Sequence, residues 1–104
     1  MNARIPLLAA ALAAAPLAAS AQSADALYVR SLAANCSNCH GTNGNAVQGS
    51  AVPGLAGMPR DYMLQQLQAF REGTRPATVM HQITKGFTPP QLEQIASYFA
   101  AQKK

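Results

Sequence analysis

Long apolar runs, clustered charge, strand-like alternation and cysteine are all scarce in this 104-residue chain. The longest apolar stretch, Ile5 to Ala19, falls short of the roughly 20 residues a membrane-spanning helix needs. Nothing later in the chain approaches that length. Of the eight basic residues only Lys103 and Lys104 are adjacent, whereas a nucleic-acid binder shows a basic stripe or cluster. No period-two pattern surrounds the cysteines, which removes the β-α-β setting that a thioredoxin-like pair requires. With two cysteines and two histidines, a four-ligand zinc site would have to recruit the distant His81. A disulfide between Cys36 and Cys39 would close a loop too small to remove much chain entropy.

What is present begins with a leader-like segment. Residues 1–21 carry Arg4, the apolar stretch, a helix-breaking Pro16 and an A-x-A site at Ala19-Ser20-Ala21. This is the pattern of a secretory signal peptide, with cleavage expected after Ala21. Alanine fills ten of those 21 positions, so the 49% hydrophobic content overstates the core of what remains. Residues 22–104 are then expected to form one exported, periplasmic domain. Loss of Arg4 takes the formal charge from +4 to +3, which suits a protein that meets acidic partners. A domain this small buries a modest fraction of its surface and often relies on a staple, metal or cofactor.

The cysteines fall in Cys36-Ser37-Asn38-Cys39-His40, and C-x-x-C-H is the signature of covalent haem attachment. Two thiols at this spacing can add across the two vinyl groups of one porphyrin, and the histidine that follows is carried beneath the iron. Export strengthens the reading, and the cofactor supplies the apolar body around which a short chain can pack. The expected cofactor is one haem c held by Cys36 and Cys39, with His40 as an iron ligand.

Periodicity predicts an all-α fold of three to four helices around that haem. The first runs from about residue 24 to 35, with Ser23 as N-cap and Leu27, Tyr28 and Leu32 on one face. Residues 40–59 lack periodicity, are rich in glycine and read as loop. A second helix spans about 61–72, with Leu64, Leu67 and Phe70 as a stripe and Gly73 as stop. A short helical turn is expected over 79–85. The last helix opens with Thr88 as N-cap, Pro89 at its first position and Gln91 completing a capping box. Leu92, Ile95, Ala96 and Phe99 share its apolar face.

An electron carrier also needs a sixth iron ligand. Met58, Met63 and Met80 remain after the leader is removed. Met63 sits in a helix and suits core filling. Met80 lies between two helices, 40 positions beyond His40, in a segment able to cross the far face. Its neighbour His81 is the alternative, as a second histidine ligand. Arg60, Tyr62, Arg71 and Arg75 are candidates to approach the haem propionates.

Cys36-Ser-Asn-Cys-His-Gly41, Val52-Pro-Gly-Leu-Ala-Gly57, Arg75-Pro-Ala-Thr-Val-Met80 and the ending Ile95-Ala-Ser-Tyr-Phe99 resemble class I cytochromes c. They are similar in particular to the cytochrome subunit of flavocytochrome c sulfide dehydrogenase and to the cytochrome c4 group. The resemblance implies the small class I fold, and Met80 as the second axial ligand. It also implies that Pro53 offers its carbonyl to the proximal histidine, a bond that fixes the ring. Where many c4 relatives carry two haem domains, this chain holds one motif. The function implied is single-electron transfer with no catalytic residues. The partner would be a flavin-containing sulfide dehydrogenase subunit or, for a free shuttle, another redox protein such as a terminal oxidase. A gas sensor or small peroxidase with an open distal site is the reading from a different class.

Overall fold

Among the described residues four α-helices form, and the starts expected at Ser23 and Thr88 and the stop expected at Gly73 are each met by a hydrogen-bonding group. The computed structural model describes residues 23–104, so the leader expected over residues 1–21 lies outside the described residues. Among these residues there are helices α1 (Ala24–His40), α2 (Arg60–Glu72), α3 (Met80–Lys85) and α4 (Pro89–Ala100), one 3-10 turn at Thr42–Gly44, and no strand. The all-α expectation holds.

Helix α1 opens on Ser23, whose hydroxyl accepts from the Ala26 N–H at 3.1 Å. It runs past the expected end at Asn35 and carries the whole C-x-x-C-H motif in its final turns. The reason is local: no glycine or proline interrupts residues 24–40. Gly41 then turns the chain at φ 88° while its N–H still donates to the Ser37 carbonyl at 2.9 Å. A Cβ on Gly41 would collide with the carbonyl oxygen of Asn45, so the turn after the motif requires glycine.

Helix α2 ends at Gly73, where N–H groups of residues 73 and 74 reach back to the carbonyls of Phe70 and Ala69. In α4 the capping box is complete. Gln91 N–H donates to the Thr88 hydroxyl at 3.4 Å, and Thr88 N–H donates to Gln91 Oε1 at 2.9 Å.

The core sits where α4 meets α1 and α2. Leu92, Ile95, Ala96 and Phe99 of α4 are buried against Leu32 and Ala33 of α1 and Met63 of α2. Burying a large apolar side chain of this kind stabilises by about 1.5–3 kcal/mol. The expected α1 face is only partly right. Leu32 is buried, but Leu27 and Tyr28 are 52% and 45% exposed. Here Tyr28 keeps a polar link to α4, its hydroxyl accepting from Gln91 Nε2 at 2.8 Å.

The loop after the motif is tied to this core. Leu55 and Ala56 donate to the Gly44 carbonyl at 2.8 and 3.1 Å, and Gly57 donates to the Phe99 carbonyl at 2.9 Å. These bonds hold residues 53–58 beside the last turn of α1.

Candidate haem site

The turn of α1 that carries the motif forms one wall of an apolar cavity of about 440 Å³. That size falls within the roughly 300–1,000 Å³ usual for cofactor sites. Cys36, Cys39 and His40 come from α1, Pro53 and Met58 from the tied loop, and Met80 and Ile83 from α3. On α2, Leu67 and Phe70 stay half-buried because they line this cavity. A second, shallower groove of about 510 Å³ between α1 and α4 holds Arg60, Glu93 and Ser97 and none of the motif residues.

His40 is buried, and its Nδ1 lies 2.6 Å from the Pro53 carbonyl oxygen. A carbonyl can only accept, so Nδ1 carries the proton and donates. Nε2 is thereby left as the lone-pair nitrogen, the form in which imidazole binds a metal. The Cys36 thiol is pushed up to about 11, first by burial and then by the neighbouring Cys39. Burial therefore favours a neutral sulfur there, as a thiol or a thioether is. Cys39 is exposed.

Met80 is the first residue of α3. Buried Thr84 donates its hydroxyl to the Met80 carbonyl at 2.9 Å, which ties the first residue of the helix to its fifth. Met58 and Met63 also line the cavity, but Met63 is only 3% exposed and belongs to the core cluster. His81 follows Met80 in sequence yet is absent from the cavity wall.

The four residues considered for the propionates separate cleanly. Tyr62 and Arg75 line the cavity; Arg60 and Arg71 do not. Arg60 is drawn to α4, donating to Ser97 Oγ at 2.8 Å and pairing with Asp61 at 3.0 Å and Glu93 at 3.8 Å. Arg71 is exposed on α2, one residue round the helix from the cavity-lining Phe70. Gln66 also lines the cavity and was not foreseen. Its signal was its place four residues before Phe70, on the same helical face.

The residues fit a covalently held haem on three observations. Two thiols on one helical turn share a cavity wall, the histidine beside them has its second nitrogen free for iron, and a thioether comes from a different helix. Among the described residues no group of three or more His, Cys, Asp or Glu is gathered for another metal. The class defined is an all-helical domain whose cavity fits a covalently held haem.

A family profile described as cytochrome c matches residues 26–102. The chain is also 43% identical over 49 residues to "Cytochrome c-552" of Acidithiobacillus ferridurans, a stretch covering 47% of this chain and 21% of that protein. The chain thus matches about a fifth of the length of that curated relative. It belongs to the cytochrome c family. Its cofactor is haem c, whose attachment motif Cys36, Cys39 and His40 fit. Among the described residues no helix is long and apolar enough to cross a membrane.

Proposed function

We propose that this chain is an exported single-haem carrier whose iron is held between His40 and Met80, and that a flavin-containing sulfide dehydrogenase is its electron donor. The observation that carries the ligand assignment is that Met80 and a histidine already committed through Nδ1 to Pro53 line one cavity. Export rests on the leader-like residues 1–21, and the donor on the resemblance of several segments to the cytochrome subunit of such dehydrogenases.

Bound haem supplies a one-electron iron couple, whose potential a His/Met ligand pair sets high. The protein's part is to hold and shield. Pro53 fixes the His40 ring, so the histidine enters and leaves each redox state in one orientation. Thr84 anchors the start of α3 and with it the backbone of Met80. Leu67, Phe70, Ile83 and Ile95 line the cavity with apolar surface that excludes water. No side chain has a bond to break in this reading, and none is assigned a catalytic role.

Visible spectroscopy of the holoprotein tests the ligands. The ferric parent should show the weak far-red band of sulfur-bound iron, and the ferrous parent should resist carbon monoxide. Met80→Ala should lose the band and bind carbon monoxide, while His81→Ala should behave as the parent. A Met80→Ala protein that keeps the band would overturn the assignment. Purification from the native envelope fraction should bring down a flavin-bearing chain. A cytochrome that elutes alone, and that no flavoprotein reduces, would leave the free shuttle as the function.

A further inference from the structure

Asn43-Gly44 is the one Asn-Gly pair in the chain, and it stands in the turn that follows the haem motif. In such a pair the glycine backbone nitrogen can attack the asparagine side-chain amide, because glycine carries no Cβ to shield that nitrogen. A bond forms from Gly44 N to Asn43 Cγ, the Cγ–Nδ2 bond breaks, and ammonia leaves with the proton of the Gly44 N–H. Water then opens the cyclic imide. Attack at Cγ gives aspartate, and attack at the main-chain carbonyl leaves the backbone running through Cβ and Cγ as isoaspartate.

The folded chain holds the reacting groups out of this ring. Asn43 sits in the left-handed region at φ 53° and ψ 24°. For an L residue that ψ rotates the next nitrogen to the far side of the Cα–C bond from Cβ, whereas ring closure needs the two eclipsed. The Gly44 N–H donates to the Gly41 carbonyl at 2.9 Å, and the Gly44 carbonyl accepts from Leu55 and Ala56 at 2.8 and 3.1 Å. Turning the peptide over breaks these bonds. The side chain is fixed as well, with Asn43 Oδ1 accepting from the Tyr98 hydroxyl at 2.7 Å. The Tyr98 ring in turn packs edge-on to buried Phe99, with centroids 5.2 Å apart.

We propose that Asn43-Gly44 is a self-deamidation site latched shut by the seated turn and the Tyr98 hydroxyl, so that a folded chain keeps its amide and an unfolded one is marked. The two products differ in consequence. Aspartate at 43 keeps an acceptor oxygen for Tyr98 and tolerates the left-handed backbone. Isoaspartate inserts an extra main-chain carbon beside Gly44, where even a Cβ would come within 2.7 Å of the Ala56 nitrogen and 2.8 Å of Phe99 Cδ1. The isoaspartyl chain therefore cannot reseat the turn without overpacking it. Chemical change of the unfolded state in this way makes unfolding a one-way exit.

The test incubates the holoprotein at mildly alkaline pH and reads residue 43 by peptide mass mapping with isoaspartyl detection. Denatured parent should convert at Asn43 ahead of Asn35, Asn38 and Asn45, while folded parent should keep the amide over the same period. Tyr98→Phe in the folded state should raise the rate at Asn43 roughly fivefold, the factor that one net hydrogen bond carries. Thr88→Ala, which loosens the other end of α4, should leave it at the parent's rate. Folded parent that converts as fast as denatured parent would overturn the proposal, and that comparison needs no variant. So would a Tyr98→Phe rate equal to the parent's, or a Thr88→Ala rate equal to that of Tyr98→Phe. A refolding arm reads the consequence by thermal melting in circular dichroism. Isoaspartyl chains returned to native buffer should show no cooperative melt, whereas Asn43→Asp should melt as sharply as the parent. Isoaspartyl chains that regain the parent's melt would overturn the one-way exit.

Discussion

Gly44 stands where the turn after the haem motif meets the end of α4, and it shows how little room that junction leaves. Its φ is 79°, and a Cβ there would lie 2.8 Å from Phe99 Cδ1 and 2.7 Å from the Ala56 nitrogen. Phe99 is fully buried and cannot retreat without opening the core. Gly44→Ala therefore combines left-handed backbone strain with overpacking, and should cost about 2–4 kcal/mol in a denaturant titration of the holoprotein. An unfolding midpoint equal to the parent's would show that the turn can shift freely. Residues of this kind are hard to see in advance. The need for Gly44 arises from Phe99, 55 positions later, and no local pattern reports that meeting. Cys36, Cys39 and His40 were legible because their chemistry is set by adjacent positions. Arg60 and Arg75 looked alike because their difference lies in where α2 and α4 cross, which spacing does not encode.

Within single elements the sequence was more informative, because helix ends are decided by neighbouring groups. Thr88, Pro89 and Gln91 predict the start of α4, and the reciprocal bonds between Thr88 and Gln91 form as that pattern requires. Thr88→Ala should remove one of them and destabilise the protein by about 1 kcal/mol. That corresponds to roughly 4–8 °C in the thermal midpoint of a domain this size. Thr88→Ser should recover the loss, and failure to do so would assign the effect to the lost methyl group instead. Helix α1 illustrates the opposite case. The sequence reading ends the first helix at about residue 35, yet nothing in residues 36–40 breaks a helix, and α1 continues to His40. The continuation places Cys36 and Cys39 on one helical stretch. The face predicted from Leu27 and Tyr28 fails for a different reason. Periodicity identifies an apolar stripe but not where the neighbouring helix stops covering it.

At the scale of the whole molecule, the described residues pack around a cavity lined mostly by apolar side chains, which is the cofactor site. Among the described residues the buried hydrophobic set is Leu32, Ala33, Ala56, Met63, Leu92, Ile95, Ala96 and Phe99, of which three are alanine. Against this stands a cavity of about 440 Å³ whose walls include half-buried Leu67, Phe70 and Ile83. Small domains with so little core depend on a staple or a bound group, and a ligand that binds only the folded state adds directly to its stability. Covalent attachment makes that contribution permanent by removing dissociation from the balance. Replacing both anchors, in a Cys36→Ala/Cys39→Ala protein prepared without haem, should therefore abolish cooperative unfolding. Most of the helical signal in far-ultraviolet circular dichroism should go with it. The contacts of α4 with α1 also run through Leu32 and Ala33, so residual helicity should concentrate there and appear as slowed amide exchange at Leu92 and Phe99. A haem-free double variant that kept the parent's helicity and melted in one sharp step would show that α1, α2 and α4 suffice alone. The cavity would then be a preformed receptacle, and the cofactor would supply redox chemistry without completing the fold.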